Sequence, residues 1–451
     1  MVRPRLRHSR DVITMSDTDQ TATPEAVDVV VIGGGIVGSS AAWFLAKAGH
    51  KVALCEKGRI GGEQSSRNWG YVRQQGRDPA EMPIIMESLR IWRGLEAEIG
   101  EDVGFVQGGC LYLAHDQKEL DERNKWLAVA EQYQLDTRSL NSAEVDAMLE
   151  GSDGRWAGAT YTPSDGRAEP AKAAPAIARA AGRLGAAVLT NCAVRGIETA
   201  GGKVSAVVTE RGTIRTGAVV CAAGVWTSLF GGNLGVKIPQ LKVLGTVART
   251  APAPNINNGA VWSPRIAIRR RDDGGYTVAH GGASIHSIVP DSFRFFSLFH
   301  GAFQADRASL RLAFDKRFFE ELLTPRRWSN DEVTPFEKTR VLDPEPNKRV
   351  LREMRDGLKR YMPALGDIPF VETWAGMVEA TPDALPVISE DDNIPGFFIA
   401  TGFSGHGFGI GPGAGRAIAE LVTGAPSMFD MSAFRLSRFF DGTPIKAGQA
   451  V

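Results

Sequence analysis

The chain has 451 residues, which is too long for one simple core and favours two domains. Its 52 Lys and Arg residues balance its 52 Asp and Glu residues, so nothing suggests the basic surface of a nucleic-acid-binding protein. The four cysteines are far apart and form no Cys-x-x-Cys pair, which argues against a disulfide framework or a zinc site. We therefore expect neither a nucleic-acid partner nor a bound metal.

The N-terminal residues 1–26 are rich in Arg, Ser, Thr, Asp and Pro and contain no apolar run, unlike a signal peptide. We predict a disordered tail here, with Met15 as an alternative start, so that residues 1–14 need not belong to the native protein. No window has the roughly 20 apolar residues that a membrane-spanning helix needs. We expect a cytoplasmic protein whose only contact with the cytoplasmic membrane would be peripheral.

Residues 27–57 have the pattern of a strand, a helix and a second strand around the run GGGIVG. Gly33 permits a tight turn, Gly35 lets the backbone approach a pyrophosphate, and Gly38 lets the helix pack closely on the strand. Glu56, eighteen residues after Gly38, is placed to bind the hydroxyls of a ribose. A glycine-rich turn alone would be weak evidence, but strand, helix and carboxylate in register predict a dinucleotide site.

Further elements alternate in type along the chain. We predict helices near 83–99, 117–134, 168–184 and 417–423, strands near 109–114, 187–190, 204–210, 218–222 and 397–401, and a glycine-rich loop over 402–415. Because nucleotide-type segments recur at the start, middle and end, the fold class is α/β with a discontinuous cofactor domain. We assign 27–80, 165–240 and 371–451 to that domain, and 81–164 and 241–370 to a substrate domain with an aromatic-rich insertion near 290–330.

Five further stretches carry a family resemblance: GEQSSR at 62–67, AAGVW at 222–226, WAG at 374–376, TPDALP at 381–386 and TGFSGHGFG at 401–409. With the first strand–helix–strand unit, they resemble the FAD-dependent amine and amino-acid oxidoreductases of the D-amino-acid oxidase superfamily, from Val27 to about Gly424. Residues 63–67, 192–199 and 331–337 resemble in particular the bacterial membrane-attached L-amino-acid deaminases. The resemblance implies a Rossmann-like FAD-binding domain with an inserted antiparallel-sheet substrate domain.

The resemblance also implies which residues hold FAD. The serines of GEQSSR would reach the pyrophosphate, Val194 would contact the adenine unless it is only strand core, and the helix entered through 411–413 would direct its positive end at the flavin. We expect non-covalent FAD, since no Cys follows WAG and no His lies in 61–70. The predicted FAD-binding residues are Gly33, Gly35, Ile36, Val37, Gly38, Glu56, Lys57, Gln64, Ser65, Ser66, Arg67, Asn68, Gly70, Val194, Ala223, Gly224, Trp226, Gly376, Gly402, Gly405, His406 and Gly407.

The reaction implied by the resemblance is oxidation of a C–N bond. Hydride leaves the carbon beside a neutral amine for the flavin N5, and the resulting imine is hydrolysed to a keto acid or aldehyde plus ammonia or an amine. Family members hold a substrate carboxylate with an Arg that follows WAG or lies in the segment equivalent to 276–282, and this chain has neither.

Replacement residues are available for that role. We predict Arg73, Gln74, Arg269, Glu379 and Phe403 as substrate-binding residues, and His406, Glu379 and Arg73 as catalytic residues. The alternatives are that the arginines are surface charges, that His406 is a flavin contact rather than a base, and that Glu379 pairs with a cationic amine.

Two other functions remain open from the sequence. The chain could be the flavin-binding subunit of a hetero-oligomeric amine or opine dehydrogenase, inactive alone, or a flavin monooxygenase, although no second nicotinamide fingerprint is visible. The electron acceptor is a quinone or oxygen. Absence of lysine from 276–281 and the phenylalanine-rich 293–303, which lies where the deaminases carry a membrane-docking insertion, favour a quinone. Core packing or an active-site lid is the alternative for 293–303.

Overall fold

The computed structural model describes residues 22–153, 155–305, 307 and 310–448. Its helices are α1 (Ile36–Lys47), α2 (Gln64–Arg67), α3 (Met82–Ile99), α4 (Gln117–Asn124), α5 (Leu127–Gln132), α6 (Ser142–Met148), α7 (Pro170–Arg183), α8 (Thr227–Leu234), α9 (Pro290–Arg294), α10 (Phe296–Ala305), α11 (Arg317–Leu323), α12 (Pro335–Lys338), α13 (Lys348–Tyr361), α14 (Pro363–Gly366) and α15 (Gly407–Thr423). Its strands are β1 (Val29–Ile32), β2 (Val52–Cys55), β3 (Tyr71–Val72), β4 (Cys110–Ala114), β5 (Arg138–Asn141), β6 (Gly158–Thr162), β7 (Gly166–Arg167), β8 (Ala187–Leu189), β9 (Val194–Ala200), β10 (Lys203–Thr209), β11 (Gly212–Arg215), β12 (Ala218–Cys221), β13 (Leu241–Thr250), β14 (Ala260–Trp262), β15 (Ala267–Arg270), β16 (Tyr276–Ala279), β17 (Ser284–Ser287), β18 (Leu310–Ala313), β19 (Phe370–Ala380), β20 (Val387–Glu390) and β21 (Phe397–Thr401).

The predicted N-terminal tail falls mostly outside the described residues, and so does Met15. Residues 25 and 26 pair with the fold, so the predicted end of the tail at residue 26 is two residues too late. Ala26 forms a parallel bridge with Arg215, and the backbone N–H of Arg215 donates to the carbonyl of Glu25 at 2.9 Å. The chain therefore joins the fold slightly before β1.

The first domain is a six-stranded sheet in the order β20-β21-β12-β1-β2-β8, with α1, α3, α7 and α15 sharing one hydrophobic core beside it. The strands from β21 to β8 are parallel, and β20 is antiparallel at the edge. β1 is buried along its whole length, as expected for a parallel strand covered on both faces. The predicted α/β class with a Rossmann-like sheet is confirmed.

The helix α15 corrects one sequence prediction, because it begins at Gly407 inside the expected loop 402–415. Its glycines serve close packing rather than a turn. A Cβ on Gly411 would lie 2.8 Å from the Ile36 side chain, one on Gly413 would lie 2.4 Å from the Ile84 carbonyl oxygen, and one on Gly415 would lie 2.4 Å from the Ser40 Cβ. Glycines at this spacing let α15 approach α1 and α3 closely.

The second domain is built on a ten-stranded sheet in the order β18-β17-β13-β16-β15-β14-β4-β6-β5, with β19 paired to β13. It is mainly antiparallel, with parallel pairing only between β4 and β14 and between β17 and β18 among its described strands. Two predicted boundaries shift. β19 joins this sheet through a long antiparallel pairing with β13, so the first domain resumes after Ala380 rather than at 371, and α3 packs in the first domain's core although 81–164 was assigned to the second.

The aromatic-rich insertion consists of α9, α10, β18 and α11. Only some of its phenylalanines are exposed. Phe295 and Phe299 pack on Leu241, whereas Phe293 is 67% exposed and Phe296 is 56% exposed. Among the described residues, no helix has the length and apolar character needed to cross a bilayer.

Candidate flavin and substrate site

A cavity of about 550 Å³ lies between the two sheets. It begins at the carboxyl ends of β1, β2 and β12, where ligands bind in open parallel sheets, and extends to β13 and β19. Most of the residues predicted for the site line it: Gly33, Gly35, Ile36, Val37, Glu56, Lys57, Gln64, Ser65, Arg67, Asn68, Arg73, Val194, Ala223, Gly224, Trp226, Gly376, Glu379, Phe403, Gly405, His406 and Gly407. Six predicted residues are not among its lining: Gly38, Ser66, Gly70, Gln74, Arg269 and Gly402.

The N-terminus of α1 faces the cavity through residues that carry little side chain. Gly35 is the N-cap and makes no side-chain capping bond, and the first helical N–H, that of Ile36, donates to Ser65 Oγ at 2.8 Å. Gly38 lies behind the cavity wall and does not line the cavity. A Cβ on Gly38 would lie 2.0 Å from the Gly33 carbonyl oxygen. A helix N-terminus with so little side chain around it leaves room for a phosphate to approach.

Glu56 is fixed at the end of β2 by two backbone donors. Its Oε2 accepts from Gly34 N at 2.8 Å, and its Oε1 accepts from Gly58 N at 2.7 Å. Burial raises the pKa of this carboxyl, and the two backbone bonds act in the opposite direction. Each carboxylate oxygen keeps a lone pair for a further donor, so both oxygens can accept from ribose hydroxyls.

A cluster around Glu63 forms the next part of the wall. Lys57 Nζ lies 2.7 Å from Glu63 Oε1 and 4.6 Å from the centre of the Trp226 ring. Trp226 Nε1 donates to Glu63 at 3.1 Å. Glu63 was not predicted as a site residue, because its role depends on Lys57 and Trp226, which are distant from each other along the chain. The cluster fixes Trp226 against the cavity.

Glu379 and Arg67 connect the loop after β2 to β19. Gln64 Nε2 donates to Glu379, whose pKa is raised by burial. Arg67 Nη1 donates to the Ala375 carbonyl at 2.9 Å. Burial disfavours the charged form of Glu379, and its pairing with a cationic amine stays a prediction.

The far end of the cavity is lined by Arg73, Arg77, Tyr112, Trp262 and His280. The Arg73 guanidinium carbon lies 5.3 Å from the centre of the Tyr112 ring, and Arg73 Nη1 donates to the Gln75 carbonyl. The Tyr112 and Trp262 ring centres are 4.8 Å apart. This end combines cationic donors with an aromatic wall, as a site for a carboxylate-bearing substrate requires.

Arg269 and Gln74 do not take the substrate-binding positions predicted for them. The side chain of Arg269 is completely buried, its Nη1 lies 2.7 Å from Glu169 Oε1, and its Nε donates to the Trp69 carbonyl at 2.7 Å. Gln74 Nε2 donates to Ser164 Oγ at 2.8 Å. Alternation along β15 turns Arg269 into the protein interior, where it forms a structural ion pair.

Three other predicted residues belong to the supporting structure. A Cβ on Gly70 would lie 2.7 Å from Arg269 Nε, and one on Gly402 would lie 2.3 Å from the Thr381 Cγ2. Ser66 Oγ donates to the Glu63 carbonyl at 3.3 Å, within the turn that contains α2. These residues shape the wall from behind rather than lining it.

His406 precedes the first turn of α15 and lines the cavity. Its Nδ1 lies 3.3 Å from Glu81 Oε2, and both side chains are buried. Burial and the positive charge of Arg77 lower the pKa of His406 to about 4, against the opposing charge of Glu81. The imidazole is therefore neutral near pH 7 and only weakly basic, which suits a hydrogen-bonding contact better than a general base.

Four lining residues were not predicted from the sequence: Arg77, Tyr112, Trp262 and His280. Arg77 had a local signal, since it follows Arg73 by four residues with Gly76 between them. The other three lie on or beside strands of the ten-stranded sheet, and the Tyr112 and Trp262 rings meet only because β4 pairs with β14. Nothing local distinguishes them from core residues.

The comparisons with known proteins agree with this geometry. Residues 28–421 match the family described as FAD dependent oxidoreductase. The structure of L-amino acid deaminase from Proteus myxofaciens in complex with anthranilate is similar, with a TM-score of 0.89, 36% identity and coverage of 93% of this chain and 94% of that one. Mouse sarcosine dehydrogenase is 29% identical over 92% of this chain and 42% of its own length, and glycine oxidase from Geobacillus kaustophilus is 26% identical over 91% and 97%.

The fold combines a mainly parallel sheet of the dinucleotide-binding type with a separate, mainly antiparallel sheet, as in flavoproteins of the matched family. The chain belongs to the FAD-dependent oxidoreductase family, and its cofactor is FAD. The open N-terminus of α1 and the doubly held Glu56 fit the pyrophosphate and ribose of this group. The chain spans less than half the length of the first three curated relatives that it matches, at 42%, 42% and 47%.

Proposed function

We propose that the protein oxidises the C–N bond of an amino acid or N-substituted amino acid with non-covalent FAD. The observation that carries this proposal is the continuity of one cavity, which joins the dinucleotide cradle at Glu56 to the carboxylate-binding end at Arg73. The similar proteins named L-amino acid deaminase, sarcosine dehydrogenase and glycine oxidase support the same class of reaction.

The bound FAD supplies the hydride acceptor. Glu56, the N-terminus of α1 and Ser65 would hold its adenosine and pyrophosphate part. Arg73 would bind the substrate carboxylate through its guanidinium fork, with the Tyr112 and Trp262 rings excluding water from the reacting carbon. The substrate carbon loses a hydride and its nitrogen loses a proton, and water hydrolyses the resulting imine to a keto acid or aldehyde plus ammonia or an amine.

Anaerobic mixing of the purified holoprotein with a panel of amines and amino acids tests this function. We expect at least one compound with a carboxylate beside the amine to bleach the flavin absorbance without any added protein. Bleaching only after addition of a second protein would instead identify a subunit of a hetero-oligomeric dehydrogenase. Acid precipitation should release intact FAD into the supernatant, and flavin retained by the polypeptide would contradict non-covalent binding.

We also propose that the protein docks peripherally on the cytoplasmic membrane and delivers electrons to a quinone. The insertion exposes a set of large apolar side chains, a composition suited to an interfacial contact. These side chains are Phe293, Phe296, Leu312, Phe314, Phe319, Leu322 and Leu323.

Sedimentation with liposomes tests the docking. The triple variant Phe293→Ser, Phe296→Ser and Phe319→Ser should lose liposome binding, whereas Phe440→Ser, at an exposed position outside the insertion, should retain it. Phe295 and Phe299 are unsuitable for this test because they are buried. If the protein does not sediment with liposomes and forms peroxide stoichiometrically, it is an oxidase that does not dock on membranes.

A further inference from the structure

The turn after β3 brings two arginines side by side into the cavity wall. The backbone N–H of Arg77 donates to the Gln74 carbonyl at 3.2 Å, and Gly76 has φ +72, which favours glycine at this turn position. Arg77 Nε donates to the Arg73 carbonyl at 3.3 Å. Both arginines line the cavity, so its substrate end has two guanidinium groups rather than one.

Arg77 is buried without a carboxylate in direct contact. The residue is 3% exposed, and its Nη1 has no hydrogen-bond partner in the part of the chain that the structure describes. Within the same described residues, no carboxylate oxygen lies within 4.0 Å of its guanidinium nitrogens. A buried cationic group with an unused donor is unfavourable unless a ligand completes its bonding.

The neighbouring carboxylates do not contact the guanidinium group. Glu81 Oε2 lies 3.3 Å from His406 Nδ1, and the positive charges of His406, Arg77 and Arg73 lower the pKa of Glu81. The two oxygens of Asp165 accept from the backbone N–H groups of Gln74 at 2.8 Å and Gln75 at 3.2 Å, and burial raises the pKa of Asp165 to about 7. Neither residue lines the cavity, whereas Arg77 does.

Resting on the proposed function, we propose that Arg77 binds a second carboxylate, so that the substrate is an amino acid with two carboxylates. Arg73 holds the carboxylate beside the reacting carbon, and Arg77 holds the other, which is carried on the side chain or on a substituent of the nitrogen. Two guanidinium forks four residues apart match two carboxylates of one small molecule better than they match one.

Matched substrate pairs test the second carboxylate. Each pair differs only by a carboxylate and its amide: glutamate and glutamine, aspartate and asparagine, both enantiomers of each, and N-carboxymethyl and N-carbamoylmethyl glycine. For the holoprotein we expect kcat/KM for the dicarboxylate to exceed that of the amide by roughly 10- to 100-fold, the value of one charge-assisted contact. The active pair identifies where the second carboxylate is carried.

Variants of Arg77 assign that preference to one side chain. In Arg77→Met the ratio should fall to about one, while Arg77→Lys, which keeps the charge and loses the fork, should retain part of it. Arg93→Met removes an exposed arginine outside the cavity and should keep the wild-type ratio. FAD content and the circular dichroism spectrum establish that each variant is folded. If Arg77→Met does not fold, the dicarboxylate-to-amide ratio of Arg77→Lys is compared with that of the wild type.

A binding measurement separates this inference from the proposed function. Glutarate and its monoamide cannot be oxidised, and their dissociation constants follow from their effect on the flavin absorbance. Tighter binding of glutarate that is lost in Arg77→Met supports the two-carboxylate site even if no amino acid reduces the flavin. A wild-type ratio at or below one, or a preference that is unchanged in both Arg77 variants, overturns the inference while turnover itself upholds the proposed function.

Discussion

The two ends of the cavity are built in different ways. At the dinucleotide end, Gly33, Gly35 and Glu56 lie within 24 residues of one another and use the turn and helix that follow β1. At the substrate end, Arg73, Tyr112 and Trp262 come from distant parts of the chain and meet only in the folded protein. The first end can therefore be predicted from a local pattern, whereas the second depends on how two sheets are placed.

The strongest test of this comparison is Arg269→Met, because Arg269 lies near the substrate end but serves the fold. Removing it leaves the buried carboxylate of Glu169 without its partner, which should cost about 3–5 kcal/mol of stability. Thermal unfolding measures the loss. The double variant Arg269→Met with Glu169→Gln should recover part of it. If the single variant is stable and has a raised KM, Arg269 is a substrate-binding residue rather than a structural one.

At the dinucleotide end, Gly38→Val should remove both FAD binding and about 3 kcal/mol of stability, since its Cβ would lie 2.0 Å from the Gly33 carbonyl oxygen. Gly94→Ala is the matched control, because this helical glycine has open space around its Cβ position. FAD content after purification and the melting temperature report the two effects. Normal flavin content in Gly38→Val would contradict the packing role.

Replacing Glu56 separates cofactor binding from folding. Glu56→Ala removes both carboxylate acceptors and should weaken FAD binding by about 2–3 kcal/mol, or roughly 30- to 150-fold. Titration of the FAD-free protein with FAD measures the dissociation constant. Glu379→Gln, on the other side of the cavity, should leave FAD affinity close to wild type. If both substitutions weaken FAD binding equally, the two ends of the cavity do not differ in their role in cofactor binding.

Arg73→Ala tests the substrate end directly. Loss of a charge-assisted contact to a carboxylate should cost about 1.5–3 kcal/mol in kcat/KM, with FAD affinity unchanged. Steady-state kinetics with the substrate found by flavin bleaching give the value. Unchanged kcat and KM would reject Arg73 as the carboxylate ligand.

The smallest expected effect is a pH dependence due to His406. Its folded pKa is lowered to about 4, so its contribution to stability is complete above pH 6.5 and is lost as the pH falls through 4. The loss at pH 5 should be about 2 kcal/mol relative to pH 7.5. Melting temperatures of the holoprotein at the two pH values measure it, and His406→Asn should show a weaker dependence. An identical dependence in His406→Asn would assign the effect to other groups.

The sequence determined the class of fold and the cofactor because these depend on short-range constraints. A buried strand, a glycine turn and a carboxylate at fixed spacing leave few alternatives, and the predicted elements from Val29 to Cys55 follow the structure closely. Even the misassigned glycines of α15 were informative, since close helix packing requires small residues as strictly as a turn does.

Tertiary structure alone decided which polar residues face the cavity. Arg73, Arg77 and Arg269 are chemically alike in the sequence, yet two line the cavity and one forms an internal ion pair with Glu169. The direction of each side chain follows from the turn at Gly76 and from alternation along β15. Strand order then decides that Tyr112 and Trp262 meet. Long-range pairing of this kind leaves no local signal, because any residue of the right size and polarity satisfies the strand pattern at these positions.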